Sequence, residues 1–346
     1  MASIYEYSKE ELADLLVDEP RYRLDQLFQG LWADALAIGE ITTIPKSLRA
    51  RLTDAFPSSL EVLDDVASDH GSTRKWVFRL EDGSTIETVL MRYEGRVTVC
   101  VSSQAGCAMG CTFCATGQMG FSGHLSVGQV LEQVMFAARA AAPLRLSNVV
   151  FMGMGEPLEN YRVTVQVLRR LHEYRGLSAR HLTVSTVGVA PAIERLAREG
   201  LPLTLAVSLH AANDETRNEL VPLNRRYPLE RLHRACATWI ETTGRRLSFE
   251  WALIDGVNDT DEAIEELAEY ATSLHAHVNL IPLNPTPGYL VRGSSAARVI
   301  EFREGLQRRG VNATVRNTRG RSIAAACGQL ASVTNARRRS IPVRGA

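Results

Sequence analysis

The chain has 346 residues, of which 45% are hydrophobic and 23% charged, a composition that allows one large domain with an appendage, or two domains. Equal numbers of basic and acidic residues, 39 of each, argue against a general nucleic-acid binder. No run of about 18 apolar residues occurs, and acids stand where a secretion signal has its basic region. We therefore expect a cytoplasmic protein without a membrane segment.

Residues 1–70 are predicted to form an N-terminal helical accessory domain. Ser8 and Glu11 have the spacing of a capping box, and residues 22–32 place leucines and a phenylalanine on one helical stripe. Pro45 precedes a third short helix. Apolar stripes of this kind usually pack in a core, so we assign no chemistry to this region.

Residues 71–95 are predicted to form a β-hairpin extension. Two segments rich in β-branched and aromatic residues, 74–80 and 84–93, flank the pair Asp82–Gly83. An Asp-Gly pair between two such segments is a strong signal for a hairpin turn.

From residue 96 to 316, segments with strand and helix patterns alternate, which predicts parallel βαβ units in an α/β fold. Six such units are too few for a closed eight-fold barrel, so we expect a partial (β/α)6 barrel. The predicted strands are 97–101, 148–152, 181–185, 203–208, 247–253, 277–281 and 311–316. The predicted helices are 126–142, 160–174, 190–199, 228–243, 259–274 and 295–309.

Four of the six cysteines fall within residues 100–114, and such clusters indicate metal or redox chemistry more often than structural disulfides. Cys107, Cys111 and Cys114 follow the first barrel strand. Zinc is an alternative, but structural zinc prefers four ligands, and no fourth cysteine or histidine stands at a suitable local spacing. An iron–sulfur cluster with three protein ligands leaves one iron open to a substrate. Phe113 would shield such a cluster from water.

Reactive groups of such barrels lie at the C-terminal ends of the strands, and polar residues follow several predicted strands. Glycines in FMGMGEP allow close approach of the backbone to a ligand, and Glu156 offers a carboxylate for an ammonium group. Taken singly, these residues are also compatible with turns, caps and a core histidine. The residues that we expect around one barrel mouth are Gly155, Glu156, Ser185, Ser208, Leu209, His210 and Asn284.

Two further cysteines stand out. Cys100 lies off the valine stripe of its strand, and Cys327 lies among alanines in RGRSIAAACGQL. A cysteine among small residues is usually a buried hydrophobe, the interpretation we give to Cys236.

Long segments of the chain resemble the radical SAM superfamily and, within it, the RlmN family of adenine-C2 methyltransferases of ribosomal and transfer RNA. The resemblance runs over about residues 76–331, in VCVSSQAGCAMGCTFCATGQMGF, FMGMGEPLENY, VSLHAANDETRNELVPLNRRYPL, FEWALIDGVNDTDEA, NLIPLNPTPGY and TRGRSIAAACGQL. It implies a [4Fe–4S] cluster on Cys107, Cys111 and Cys114, whose open iron chelates S-adenosylmethionine (SAM). The strand-end residues would contact that SAM.

The resemblance also implies a radical mechanism that uses two SAM molecules per turnover. Cys327 matches the cysteine that is first methylated and then carries its methyl carbon to the adenine. Cys100 matches the cysteine that releases the RNA through a transient disulfide with Cys327. Glu87 matches a proton acceptor. The implied partners are 23S rRNA, tRNA and an electron donor such as flavodoxin, and we expect a monomer.

Several alternatives remain open at this point. A relative that methylates C8 of the same adenine and confers antibiotic resistance shares the cluster and both outer cysteines. A silent RNA-binding protein and a radical SAM enzyme acting on proteins or small molecules are further candidates. The text GFSGHLS departs from the family pattern at residues 122–124, where an RNA contact is expected to differ. The C-terminal segment, residues 317–346, carries a basic tail that is either solvated or in contact with RNA phosphates.

Overall fold

A computed structural model of the protein describes residues 2–284, 286, 289, 291–316 and 319–330. The strands in this part of the chain are β1 Glu61–Ser68, β2 Thr73–Arg79, β3 Thr85–Tyr93, β4 Arg96–Cys100, β5 Gln104–Gly106, β6 Phe121–His124, β7 Asn148–Phe151, β8 Leu182–Thr186, β9 Thr204–Ser208, β10 Ser248–Leu253, β11 His277–Pro282 and β12 Ala313–Val315.

The α-helices of the same part are α1 Lys9–Leu15, α2 Arg21–Phe28, α3 Lys46–Ala55, α4 Ala115–Gln118, α5 Val127–Ala141, α6 Tyr161–Glu173, α7 Ala190–Ala197, α8 Asp214–Leu220, α9 Leu229–Thr243, α10 Asp261–Ser273 and α11 Ala296–Arg308. The predicted capping box at Ser8 is formed, and a second capping box, at Ser126, begins α5. None of these helices is long and apolar enough to cross a lipid bilayer.

One ten-stranded sheet organises the molecule, in the order β1-β2-β3-β4-β7-β8-β9-β10-β11-β12. Strands β1 to β4 pair antiparallel, and from β4 to β12 every pair is parallel. The parallel strands are those predicted from the alternating pattern, with helices between them. This arrangement confirms the α/β class and the partial barrel.

The segment of residues 61–68 is a strand, so the prediction of helix throughout residues 1–70 is wrong there. This segment, β1, is the edge strand that pairs antiparallel with β2. Two bidentate ion pairs cross from β1 to β2, Asp65 with Arg74 and Glu61 with Arg79. The acids of β1 resemble a helix surface in the sequence, but they pair across strands.

The N-terminal helices pack against the barrel, and their apolar side chains join its core. The Glu6 carboxylate accepts a hydrogen bond of 2.8 Å from the Gly128 backbone N–H at the start of α5. Arg170 on α6 donates to the backbone carbonyl of Glu6 at 3.0 Å. The division of the chain at residues 70, 95 and 316 stays a prediction, because core packing and sheet pairing are continuous across the first two boundaries.

Candidate active site

Two cavities meet at the barrel, and Cys327 lies on the wall between them. The first is lined by nearly all the residues predicted for the cluster and SAM: Cys107, Cys111, Cys114, Gly155, Glu156, Ser185, Ser208, His210, Asn284 and Cys327. The second is lined by Cys100 and Cys327 and by side chains of β3, β4, β7 and β11. Residues spread over more than 200 positions of sequence are thus brought to one place.

The three cysteines lie on residues 107–114, which we call the cysteine loop and which leads into the short helix α4. The backbone N–H of Cys107 donates to the Gly120 carbonyl at 2.8 Å, and that of Cys114 donates to the Cys111 carbonyl at 3.2 Å. Gly117 is required here, because a Cβ atom would lie 2.9 Å from the Cys111 carbonyl oxygen. The sequence therefore folds the three thiols into one compact turn.

The donor set of this loop suits a cluster better than a single metal ion. Burial raises the pKa of Cys107 to about 12 and that of Cys111 well above its usual value, so binding of a metal would have to displace their protons. Within the described residues, no three His, Cys, Asp or Glu side chains are arranged to share one ion. Cluster ligands bind different irons and need not converge on one point, whereas zinc ligands must.

Glu156 is a buried carboxylate beside the cysteine loop. Its two oxygens accept hydrogen bonds from the backbone N–H groups of Leu158 and Val187, both at 2.9 Å. Burial nevertheless raises the pKa of Glu156 to about 7. A cationic partner, such as the ammonium group of an amino acid, would stabilise the charged form of this buried carboxyl group.

The glycines before Glu156 are required by the packing of the protein itself. A Cβ atom on Gly153 would lie 2.6 Å from the Val101 carbonyl oxygen, and one on Gly155 would lie 2.5 Å from Gln104 Cβ. Gly155 also has a φ of +99°. We predicted that these glycines allow close approach to a ligand. They also allow close approach to Val101, which follows β4, and to Gln104, which begins β5.

His210 is held as a neutral imidazole. The backbone N–H of Ala252 donates to its Nδ1 at 3.0 Å, which leaves the proton on Nε2. Burial and the nearby Arg217 lower the pKa of His210 to about 3. The centres of the His210 and Phe113 rings are 4.7 Å apart, and the rings meet edge to face. The Phe113 side chain of the cysteine loop therefore packs against the end of β9.

Leu209 differs from its neighbours because its fully buried side chain is not among the residues that line either cavity. Its backbone is fixed by a hydrogen bond from its N–H to the Glu250 carbonyl and by Arg217 Nε, which donates to the Leu209 carbonyl at 3.0 Å. Leu209 can therefore shape the first cavity only through the main chain.

The segment that carries Cys327 is tied to both the barrel and the cysteine loop. Asn284 Nδ2 donates to the Cys327 carbonyl at 3.2 Å, and the Ala115 N–H donates to the Gly328 carbonyl at 2.7 Å. The Cys327 side chain is exposed. Desolvation by the surrounding protein raises the pKa of its thiol, and the positive charge of the nearby Arg316 acts in the opposite direction.

Cys100 and Cys236 have different environments. Cys100 lines the second cavity with Thr98, on the side of β4 predicted from the valine stripe, and burial raises the pKa of its thiol. Cys236 is fully buried on α9, outside both cavities, as expected of a core residue. All six cysteines are free thiols in this structure, and the transient disulfide stays a prediction.

Glu87 lies beyond the end of the second cavity. It points to the same face of β3 as Val89 and Tyr93, which line that cavity, but it is itself fully buried. Its Oε2 atom forms an ion pair with Lys75 Nζ at 3.1 Å. Lys75 also donates to the Ala324 carbonyl at 3.2 Å, three residues before Cys327.

Glu250 belongs to the site, together with Arg316, but was not singled out in the sequence. Arg316 Nη2 and Asn279 Nδ2 donate to Glu250 Oε1 at 3.1 and 2.9 Å. Glu250 Oε2 is buried without a hydrogen-bond partner among the described residues, and Glu250 lines the first cavity. The available signal was an acid in the middle of the apolar strand LSFEWAL, since a buried acid needs a partner.

Residues 122–124, where the sequence departs from the family pattern, belong to a small sheet of β5 and β6. His124 Nδ1 lies 3.1 Å from Gln104 Nε2, and Phe121 is 45% exposed. Four arginines of the predicted basic tail, Arg337, Arg338, Arg339 and Arg344, lie outside the described residues.

Comparison with known proteins identifies the family. The model of the Radical SAM superfamily matches residues 101–271. A "Probable dual-specificity RNA methyltransferase RlmN" of Frankia casuarinae is 51% identical over 94% of this chain and 81% of its own length. One of Chloroflexus aurantiacus with the same name is 46% identical over 98% of this chain and 94% of its own length.

A solved structure agrees with these relatives. The crystal structure of a radical SAM methyltransferase from Sphaerobacter thermophilus superposes with a TM-score of 0.92 at 48% identity, covering 96% of this chain and all of that one. The resemblance stated from the motifs is confirmed, and the chain belongs to the RlmN family of the radical SAM superfamily.

Proposed function

We propose that this protein is a radical SAM RNA methyltransferase that methylates the C2 carbon of an adenine in 23S rRNA and in tRNA. The observation that carries the proposal is the position of Cys327 on the wall shared by two cavities. One cavity holds the cysteine loop and Glu156, and the other holds Cys100. A methyl carrier needs access to both a methyl source and an acceptor.

The first cavity would bind both cofactors. Cys107, Cys111 and Cys114 would ligate a [4Fe–4S] cluster, and Glu156 would hold the ammonium group of SAM. The remaining contacts would come from Gly155, Ser185, Ser208, the Leu209 main chain, His210 and Asn284. When bound, the cluster and SAM supply an electron, a hydrogen-abstracting carbon radical and, from a separate SAM, the methyl group, which makes two SAM per turnover.

Cys327 would carry the methyl carbon. Its thiol must lose a proton before the sulfur can be methylated, and Arg316, which lines both cavities, favours the thiolate. An aromatic C–H carbon is not nucleophilic enough to be methylated by simple displacement from SAM. A radical on the carried carbon can add to the adenine ring. The adduct would then lose one electron, which returns to the cluster, and the C2 proton, and RNA and enzyme stay linked through Cys327.

Cys100 would release the product. As its thiolate attacks the Cys327 sulfur, a Cys100–Cys327 bond forms and the carbon–sulfur bond breaks. The electron pair of the broken bond stays on the carbon, which takes up a proton and becomes the methyl group of the adenine. The disulfide then takes two electrons and two protons before the next turnover. We propose an electron donor such as flavodoxin, and a monomeric enzyme.

Glu87 would accept the proton that leaves adenine C2. Its face of β3 continues from the second cavity, which favours this role. Its ion pair with Lys75 opposes it, because a paired carboxylate is a weak base. The role therefore requires that Lys75 release Glu87 when RNA is bound.

The test is nucleoside mass spectrometry of 23S rRNA and tRNA from cells with and without the gene. We expect loss of 2-methyladenosine from both RNAs, restored by the intact gene and not by a Cys327→Ala variant. Loss of 8-methyladenosine instead would identify the C8 alternative. Unchanged nucleosides in both RNAs would refute the proposal, and a change in one RNA alone would refute its dual specificity.

A further inference from the structure

The mouth of the second cavity carries a stack of one aromatic ring and two guanidinium groups. Tyr93 and Arg96 face each other across the β3–β4 turn. The guanidinium carbon of Arg96 lies 4.4 Å from the centre of the Tyr93 ring, and that of Arg319 lies 4.3 Å from it. All three residues line the cavity that contains Cys100 and Cys327. We call these three residues the Tyr93 stack.

The two cations of the stack have no carboxylate partner among the described residues. Arg96 forms no side-chain hydrogen bond or ion pair there. By contrast, a carboxylate holds each of four other surface arginines, Arg51, Arg74, Arg79 and Arg309. Arg319 donates from Nη1 alone, to Ser72 Oγ at 3.0 Å and the Arg92 carbonyl at 2.9 Å. Several N–H groups of both guanidiniums are therefore available to a ligand.

Two acids, Asp69 and Glu94, lie near the stack. The Asp69 carboxylate accepts hydrogen bonds from Thr73 Oγ1 at 2.8 Å and from the Gly320 backbone N–H at 3.0 Å. Glu94 is exposed in the β3–β4 turn and forms no ion pair with described residues. Arg319 also lowers the pKa of the Asp69 carboxyl, so Asp69 balances part of the charge of Arg319. Arg96 forms no ion pair with either acid, and its charge favours an anion at this site.

The ring determines how the arginines are presented. A free arginine side chain loses rotamer entropy when a ligand fixes it. A cation held over an aromatic face has lost part of that freedom already, and its N–H groups that make no hydrogen bond can still donate to a ligand. A phosphodiester, whose oxygens accept two parallel hydrogen bonds from one guanidinium, suits such a group.

We propose that the Tyr93 stack binds a backbone phosphate of the substrate RNA next to the target adenosine. This inference rests on the proposed function and specifies where RNA first contacts the protein. The ligand chemistry follows from two guanidinium groups at the entrance to a cavity with polar walls, where Thr98 and Asn148 offer hydrogen bonds to a nucleotide.

The test measures binding of an RNA hairpin with the target adenosine to the anaerobic holoenzyme at several salt concentrations. Arg96→Ala should weaken binding roughly tenfold at low salt and lower the slope of log Kd against log salt by about one phosphate. Tyr93→Phe keeps the ring and should bind as the wild type does. Tyr93→Leu removes the ring and should weaken binding as Arg96→Ala does.

Arg308→Ala is the matched control, because Arg308 is an exposed arginine near the end of α11 that lines neither cavity. Its affinity and salt slope should stay at wild-type values. Methylation of Cys327 before RNA is added, seen as a mass gain of one CH2 in the intact protein, should persist in every variant. That readout reports on the proposed function alone.

Wild-type affinity and salt slope in both Arg96→Ala and Tyr93→Leu, with Cys327 methylated, would overturn the phosphate site and leave the proposed function standing. Equal weakening by Arg308→Ala would also overturn it, since the effect would then be one of total charge. Wild-type protein that binds the hairpin but neither methylates Cys327 nor modifies adenosine would instead overturn the proposed function.

Discussion

The buried Lys75–Glu87 ion pair gives a prediction that distinguishes a structural role of Glu87 from its proposed role as a proton acceptor. Both side chains are at most 3% exposed, and their charged atoms are 3.1 Å apart. Lys75→Met leaves the Glu87 carboxylate buried without its cation, which should cost about 3–5 kcal/mol. With an unfolding entropy of about 2.1 cal/mol/K per residue, the loss corresponds to a fall in Tm of roughly 4–7 °C for a chain of this length.

The same substitution should loosen the segment that carries Cys327, because Lys75 Nζ holds the Ala324 carbonyl. We expect faster alkylation of Cys327 in Lys75→Met protein than in wild type, measured by intact-protein mass under native conditions. Cys236, fully buried on α9, is the internal control and should stay unreactive in both.

The double variant Lys75→Met with Glu87→Met decides the role of Glu87. Removing both charges eliminates the unpaired buried group, so part of the lost Tm should return. If Glu87 accepts a proton, methylation should stay absent in this stable protein. Recovery of methylation with stability would show that Glu87 acts only through Lys75. An unchanged Tm in Lys75→Met protein would refute the buried pair itself.

Three further predictions concern the cofactors and the outer cysteines. Anaerobic purification should give a brown protein with about four irons per chain, lost when the three loop cysteines are changed to alanine; a colourless protein with one zinc would contradict the assignment. Because burial raises the pKa of Glu156 to about 7, SAM should bind more tightly as pH rises towards 7 and the carboxylate forms, and Glu156→Gln should bind weakly with no such dependence; equal affinity in calorimetry would contradict its role. Cys100→Ala should accumulate a nuclease-sensitive adduct of RNA on Cys327, whereas Cys327→Ala and the double variant should form neither adduct nor product; methyladenosine from Cys327→Ala protein would contradict the carrier mechanism.

The parallel part of the fold was predictable because its signals are local. Each barrel strand is a short apolar run followed by an amphipathic helix, and this alternation permits few topologies. The strand ends then fix where the polar residues meet. Glu156 and Ser185 occupy neighbouring positions for that reason, although neither residue is distinctive by itself.

The missed features depend on pairs of residues that are distant in the sequence. The edge strand β1 resembles a helix surface until Glu61 and Asp65 meet the arginines of β2. Arg316 and Glu250 are 66 residues apart and become partners only through the order of β10, β11 and β12. Periodicity within one segment contains no information on such contacts.

The common wall of the two cavities gives a physical reason for a carrier in the proposed reaction. Cys327 is held from one side by Asn284 of the barrel and from the other by Lys75 of the hairpin, through Ala324. RNA that enters past Tyr93 and Arg96 therefore meets the segment of Cys327 before it meets the cysteine loop. A methyl group supplied in the first cavity has to reach the second, and a cysteine that lines both cavities can accept it in one and deliver it in the other. Cys100, which lines only the second cavity, is then placed where the product must be released.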